Sequence, residues 1–198
     1  LKDNLRYLEV LFKKGLYEQC EKIIKESLKK ANKYDKTQSA LELLAWEMEL
    51  MSVYSFKEEV SKHSHRIFNE SVRLMDIHKN FLEYKEKEIE ASNVLNRTGF
   101  ARTKADIEKY NAILNLPFFK KSPNAKSFRS NYIFYGVNSI CNYMCNKYAN
   151  ATLFAVELIE YLEKNRHQLA ETPLLFVNAL HSQIYYQIHF KNYNKALI

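Results

Sequence analysis

The chain has 198 residues, of which 46% are hydrophobic and 27% charged, a length sufficient for one domain or for a repeat protein with a continuous core. Only three glycines and three prolines occur, too few for the turns of a β-rich fold, so the composition predicts an all-α protein. No stretch approaches the roughly 18 consecutive apolar residues that indicate a membrane-spanning helix.

The net charge of +7 is compatible with an acidic or nucleic-acid partner, but the kind of basic residue argues against specific nucleic-acid binding. Only seven of the 30 basic residues are arginine, whereas nucleic-acid surfaces favour arginine and clustered positive charge. The lysines are scattered over the predicted helices. We therefore expect a protein or peptide partner. We also expect a cytoplasmic location.

The first three predicted helices cover about 1–14, 17–33 and 39–53. Gly15 ends the first helix, because glycine tolerates the positive φ that closes many helices. Ser39 and Glu42 form a capping-box pattern at the start of the third. The third helix is apolar nearly all round, which indicates packing between neighbours.

A second capping box, Ser55 with Glu58, precedes a stretch at 56–96 that has no glycine and no proline. This stretch is either one very long helix or two helices that meet near 69–71. A seven-residue grid of apolar positions runs along it, but its companion positions are weak, so we expect no true coiled coil. The grid consists of Val60, Ile67, Leu74, Phe81 and Leu95, with Glu88 at the remaining point.

In the second half of the chain, Gly99 breaks the pattern, and Thr103 with Asp106 predicts the cap of a short helix at 103–115. The longest loop is predicted at 116–125, between Pro117 and Pro123. Further helices are predicted at 126–145, at 149–166, from Thr172-Pro173 to about 189, and from Tyr193 onward.

One phrase, a tyrosine followed three residues later by a small residue, occurs three times where one helical pattern stops and the next starts. It reads Tyr17-Glu-Gln-Cys20, Tyr148-Ala-Asn-Ala151 and Tyr193-Asn-Lys-Ala196. Such recurrence is typical of stacked helical hairpins. With Lys14-Gly15 before the first copy, Phe154-Ala155 after the second and Phe190-Lys-Asn before the third, the phrase resembles the start of the second helix of a tetratricopeptide repeat.

This resemblance implies an α-α superhelix, a right-handed solenoid of antiparallel hairpins that covers 1–198 as a single domain. The two later phrases are 45 residues apart, longer than the ~34 of a standard repeat, and Phe56 and Phe100 fit degenerate junctions. Two longer phrases, Leu43 to Leu50 and Gly99 to Arg102 with Ala125 to Arg129, resemble a family of uncharacterised bacterial proteins with divergent repeats. Both ends of the chain lie within helical patterns, so we expect a piece of a longer protein.

The candidate binding residues, Asn131, Tyr135, Asn138 and Asn142, share one stripe of a predicted helix, opposite an apolar stripe. Asn138, Ser139 and Asn142 occupy the positions at which a standard repeat packs its first helix on its partner. Either this hairpin is rotated or polar groups lie in its packing face, and we expect rotation because buried amides need partners. Exposed amides can bond the backbone of an extended peptide, so the four residues are predicted to bind peptide. The alternative is a solvated face.

No other pattern in the sequence predicts chemistry. Three cysteines, an odd number, argue against a disulfide framework, and Cys141 and Cys145 lack further metal ligands, so we expect them to be buried as apolar residues. On a helix, His63 and His65 point away from each other. The sequence has no phosphate-binding glycine loop, metalloprotease helix motif or nucleophile elbow. We therefore expect no enzyme, no metal and no cofactor.

We predict a non-catalytic scaffold that binds a protein or peptide. The alternative is a regulatory or sensor repeat domain of a multidomain signalling or DNA-binding protein, in which the repeats sense a peptide or form a homodimer. An RNA-binding helical repeat is a third class, disfavoured because a code of one base per repeat needs units of constant length.

Overall fold

The computed structural model describes residues 1–53, 59–121, 124–170 and 172–189, side chains of 59–61 excepted, and within these ranges all regular structure is helical. This confirms the all-α prediction. The helices are α1 (Lys2–Lys13), α2 (Tyr17–Lys33), α3 (Thr37–Val53), α4 (Glu59–Thr98), α5 (Lys104–Leu114), α6 (Pro117–Lys120), α7 (Phe128–Met144), α8 (Tyr148–Lys164), α9 (Arg166–Leu169) and α10 (Leu174–His189). Over the described ranges, none of these helices combines the length and the apolar character that a bilayer crossing requires.

By their contacts the residues form two compact units, Leu1–Lys79 and Asn80–Ile198, and α4 contributes residues to each. In the first unit, α2 packs on both α1 and α3, and α1 also contacts α3. The core of this unit includes Leu8, Cys20, Ile24, Ala40, Leu43, Leu44, Ile67 and Leu74. Each fully buried leucine or isoleucine contributes about 1.5–3 kcal/mol relative to an exposed one.

In the second unit, α7 is the central helix, since it contacts α5, α6 and α8, while α10 packs on α8. The largest core cluster of this unit includes Tyr84, Ala91, Tyr110, Ile113, Phe119, Ile133, Phe134, Val137 and Cys141. Cys20, Cys141 and Cys145 are free and buried, which confirms their prediction as small apolar residues.

Three hairpin junctions share one backbone geometry. Each contains a residue with positive φ, namely Gly15 (72°), Asp35 (50°) and Asn146 (59°). Glycine, asparagine and aspartate adopt this left-handed conformation most readily. The following residue then donates its N–H to the carbonyl five positions back: Leu16 to Leu11 (3.0 Å), Lys36 to Ala31 (2.9 Å) and Lys147 to Asn142 (2.9 Å). This 6→1 bond satisfies a carbonyl that the end of a helix would otherwise leave unpaired.

Two copies of the tyrosine phrase lie where the sequence predicts them. Tyr17 is the first residue of α2 and Tyr148 the first of α8. The small residue of each copy is buried, Cys20 at 1% exposure and Ala151 at 0%. The third copy, from Tyr193, lies outside the described residues.

The structure decides between one helix and two for the described part of the stretch at 56–96, and it confirms one predicted capping box. Over 59–98 the long stretch is a single 40-residue helix, α4. The capping box of α5 is present, with the Asp106 N–H donating to Thr103 Oγ1 (3.2 Å) and the Thr103 N–H donating to the Asp106 carboxylate (3.1 Å). The predicted box of Ser55 and Glu58, the junction at Phe56 and the loop end at Pro123 lie outside the described residues.

Two boundaries were predicted wrongly. Helix α3 begins at Thr37, not at Ser39, because the junction at Asp35 closes α2 and lets the next helix start at once. The predicted loop at 116–125 contains the short helix α6, which begins at Pro117, since proline suits the first position of a helix, where no N–H is needed.

Candidate functional site

Two of the three asparagines of α7 are buried rather than presented to solvent. Asn138 and Asn142 are 4% and 5% exposed. Asn138 Nδ2 donates to the carbonyls of Phe119 (3.2 Å) and Phe134 (2.9 Å), and Asn142 Nδ2 donates to the carbonyl of Asn138 (2.8 Å). The expected rotation of this helix is therefore wrong. Polar groups lie in its packing face and find the partners that buried amides require.

The other two members of the stripe keep part of their surface. Asn131 is half-buried, and its Nδ2 donates to the carbonyls of Ala125 (3.1 Å) and Ser127 (2.9 Å). Tyr135 is also half-buried, and its ring lies 5.7 Å from that of Tyr161. The structure thus places all four residues along α7, but the amide nitrogens of its three asparagines already bond the chain's own backbone. Peptide binding by this stripe stays a prediction.

A groove opens between α1 and α3 in the first unit. It is an open cavity of about 270 Å³, lined by Leu5 of α1 and by Glu42, Ala45, Trp46 and Glu49 of α3. Trp46 is half-buried, and its ring centroid lies 5.6 Å from that of Phe12, which holds the indole in place. The glutamates stand three and four residues from the tryptophan on either side, so all three side chains share one face of the helix.

The groove is acidic in a basic chain. Helix α3 carries Glu42, Glu47 and Glu49 but no lysine or arginine, whereas the whole chain has a net charge of +7. Glu47 already has basic partners within the chain, since its Oε1 lies 2.9 Å from His63 Nε2 and 2.5 Å from Arg66 Nη2. Glu42 and Glu49 are exposed and form no ion pair with any residue that the structure describes.

An indole flanked by two carboxylates fits a particular kind of side chain. The stem of a lysine or arginine can lie on apolar surface while its cationic head reaches the carboxylates. The face of a tryptophan ring adds a favourable interaction with the same cation. The sequence carries one signal of this site that the predictions above did not use, namely the absence of lysine and arginine from α3.

A second exposed surface lies on α10, whose inner side packs on α8 through Ala179 and Tyr186. Its outer side exposes five large apolar side chains, and no Asp, Glu, Lys or Arg occurs between Leu174 and His189. The exposed residues are Leu174 (70%), Val177 (55%), Ile184 (41%), Tyr185 (45%) and Ile188 (44%). We call them the outer face of α10. They fall in a stripe about 100° wide on the helical wheel.

The buried Cys141 thiol is poorly suited to nucleophilic chemistry. Burial raises the pKa of the Cys141 thiol to about 12, with a smaller contribution from Cys145. A thiol with such a pKa is protonated at neutral pH and is therefore a poor nucleophile. Within the described ranges, no group of three or more His, Cys, Asp or Glu side chains is placed to hold a metal ion.

Comparison of the chain with protein-family models, with curated proteins and with solved structures finds no match. The resemblance to tetratricopeptide repeats accordingly stays a prediction.

Proposed function

We propose that this chain is a non-catalytic interaction module that binds an extended peptide in the groove between α1 and α3. The observation that carries the proposal is the half-buried Trp46, placed between two exposed glutamates in an open groove. The preferred peptide carries a lysine or arginine next to apolar residues. The resemblance to tetratricopeptide repeats supports this proposal, because such repeats often bind peptides along their concave face.

The affinity would come mainly from apolar burial. Exposed ion pairs contribute roughly 0–1 kcal/mol each, so Glu42 and Glu49 would select the peptide more than they hold it. Aromatic anchors dominate most interfaces, and Trp46 is the anchor of this groove. We expect a dissociation constant on the order of 10–100 µM for a short peptide.

Trp46 is the single tryptophan of the chain, so its fluorescence reports on the groove alone. The experiment titrates the protein with an acetylated Ala-Leu-Lys-Leu-Lys-Ala peptide and with the same peptide carrying glutamine in place of lysine. The lysine peptide should give a saturable change that weakens as salt is raised. Equal titration curves for both peptides, or no change with either, would refute the proposal.

A double variant tests the role of the carboxylates. Glu42→Gln with Glu49→Gln should weaken the lysine peptide about 5- to 10-fold, since two pairs of 0.5–0.7 kcal/mol are lost. The matched control is Glu18→Gln with Glu21→Gln on α2, which removes the same charge from exposed positions that do not line the groove. This control should leave the binding unchanged.

The right-handed solenoid, the tetratricopeptide class and the cytoplasmic location belong to the same proposal. In a repeat protein each hairpin packs on its neighbours, and the first helices of successive hairpins line one surface. Within the first unit, α2 lies between α1 and α3 in sequence and packs on both, which supports the proposal that α1 and α3 are such first helices.

A further inference from the structure

Positive charge is concentrated on α2, contrary to the expectation that the lysines are scattered over the helices. Residues 22–36 contain six lysines and two acidic residues, a net charge of +4, whereas the whole chain carries +7. Four of these lysines are exposed and fall within about 80° of one another on the helical wheel. We call them the lysine row of α2: Lys22, Lys25, Lys29 and Lys33.

The lysine row lies on the side of α2 that faces away from the core of the first unit. The buried residues of the helix occupy the opposite side of the wheel, and they are Cys20, Ile24, Ser27 and Ala31. From Lys22 to Lys33 the row extends about 16 Å along the helix axis. It therefore forms a continuous basic surface on one side of a single helix.

Lysines on other helices pair with an acidic residue of the same helix, but three members of the row do not. Glu21 and Glu26 stand three or four residues from members of the row. Nevertheless Lys22, Lys25 and Lys29 form no ion pair or hydrogen bond with any residue that the structure describes. The paired lysines are Lys13 with Glu9 (2.6 Å), Lys85 with Glu88 (2.5 Å), Lys87 with Glu90 (2.6 Å) and Lys109 with Asp106 (3.3 Å).

The stability of the helix does not account for the row. Lysine in the last turn of a helix interacts favourably with the macrodipole, which explains Lys30 and Lys33. Lys22 and Lys25 lie two to three turns before the end, beyond the range of this effect. Like charges four residues apart, such as Lys25 and Lys29, destabilise a helix. A negatively charged partner would offset this repulsion.

We infer that the lysine row of α2 binds the surface of a membrane that contains anionic phospholipid. Clusters of roughly four to eight basic residues on a helix bind such surfaces, because each lysine near the surface is attracted by its negative potential. The apolar side of α2 packs in the core of the first unit. The contact is therefore electrostatic, and no side chain of the row inserts into the hydrocarbon.

A membrane surface is favoured over a nucleic acid by the kind of residue in the row. Helix α2 contains no arginine, whereas protein surfaces that contact phosphate in nucleic acids favour the arginine fork. No aromatic side chain lies between Lys22 and Lys33 on which a base could stack. A flat lipid surface needs neither feature, since it offers negative charge along the whole length of the row.

Cosedimentation with lipid vesicles tests the inference. The protein should bind phosphatidylcholine vesicles that contain about 30% phosphatidylglycerol, and binding should weaken as salt is raised. Pure phosphatidylcholine vesicles should not bind it. The variant Lys25→Gln with Lys29→Gln should bind the anionic vesicles about 10- to 30-fold more weakly, since each lysine contributes a factor of about 5. Glutamine keeps the helix propensity of lysine, and circular dichroism checks that the variant is folded.

The matched control is Lys104→Gln with Lys120→Gln, which removes the same charge from exposed positions of the second unit. It should change the binding less than twofold. Equal losses in the two variants would overturn the inference, because they would show that net charge rather than the row is responsible. Absence of binding to anionic vesicles would overturn it as well.

A variant with increased charge gives an independent test. Glu26 is the one acidic residue between Lys22 and Lys33, and Glu26→Gln should strengthen vesicle binding about 5-fold. Glu108→Gln makes the same change at an exposed position of α5 and should have little effect. Equal effects of the two variants would contradict the inference.

Competition identifies the class of partner. A short duplex DNA and polyglutamate are each added to the vesicle-bound protein at constant ionic strength. Neither should displace it at a charge concentration equal to that of the lipid. Displacement by the duplex would assign the row to a nucleic acid, and displacement by polyglutamate would assign it to an acidic protein. The row lies outside the groove of α1 and α3, so these results do not depend on peptide binding there.

Discussion

The hydroxyl of Tyr84 donates a hydrogen bond of 2.7 Å to the carbonyl oxygen of Phe118. The ring of Tyr84, on α4, also meets the rings of Phe118 and Phe119 edge-on, at centroid distances of 5.3 and 5.9 Å. One fully buried side chain thus fastens the short helix α6 to the core of the second unit. This contact explains how a helix of four residues keeps its place.

Replacing Tyr84 by phenylalanine should lower the free energy of unfolding by about 1–2 kcal/mol. The ring and its packing are kept, but the Phe118 carbonyl loses its partner in a partly buried setting. Urea denaturation followed by circular dichroism measures the loss. An unchanged unfolding midpoint would show that water replaces the phenol at no cost.

Tyr143→Phe should have the opposite outcome, with a free energy of unfolding that is unchanged or up to about 1 kcal/mol higher. Tyr143 is 2% exposed, and its hydroxyl has no hydrogen-bond partner of sound geometry among the described residues. Burial also raises the pKa of this phenol far above its usual range, with the neighbouring Tyr185 adding to the effect. The same urea denaturation checks it, and a loss above 1 kcal/mol would reveal a hidden partner.

Asn138→Ala should destabilise the protein by about 1–3 kcal/mol, because the amide that satisfies the Phe119 carbonyl is lost and a small void replaces it. Asn96→Ala makes the same change at an exposed position of α4 and should be neutral or slightly stabilising, since alanine is the better helix former. The melting temperatures of the two variants distinguish an asparagine that stabilises the fold from one that is only exposed on a helix. A peptide-binding role alone would leave both melting temperatures unchanged.

Two glycines should respond in opposite directions to the same substitution. Gly15 has a φ of +72° and space around it, so Gly15→Ala meets backbone strain alone and should cost about 1 kcal/mol. Gly136 lies inside α7 without positive φ, also with no atom within 4 Å of an added Cβ. Gly136→Ala should therefore stabilise by about 0.5–1 kcal/mol. Parallel denaturation curves decide the signs.

Alkaline pH should weaken the second unit. Burial raises the pKa of Tyr84 and of Tyr110 to about 12 each. An unfolded tyrosine titrates near pH 10, so between about pH 10 and 12 the folded state binds more protons than the unfolded one, and stability falls as pH rises. Below pH 10 the contribution of these tyrosines is fully present. Urea titrations at pH 8 and 10.5 measure the difference, and the Tyr84→Phe variant should show a smaller one.

The helix starts that depend on local chemistry could be predicted from the sequence. Tyr17 and Tyr148 each come two residues after a residue suited to positive φ, and Thr103 caps its own helix, so nearby residues carry the whole signal. The position of Asn138 could not be predicted in this way. Its partner, the Phe119 carbonyl, lies 19 residues away in α6, which the sequence pattern presents as a loop.

The opposite wall of the groove could not be predicted from the sequence for a similar reason. In the sequence, Glu42 and Glu49 cannot be told from ordinary surface glutamates. Only the folded structure places Leu5 of α1 at the opposite wall of the groove. A helical pattern shows which side chains share a face, but the surface that meets that face comes from another part of the chain. The missing ion pairs of Glu42 and Glu49 are visible only in three dimensions.

Three residues connect the two helices at each of the junctions that contain Gly15, Asp35 and Asn146, and this length fixes the register of the helix that follows. Each added or deleted residue turns the following helix by about 100° and shifts it by about 1.5 Å. Such a change after Gly15 would carry Cys20 away from Leu8 and bring a neighbouring polar residue into the core.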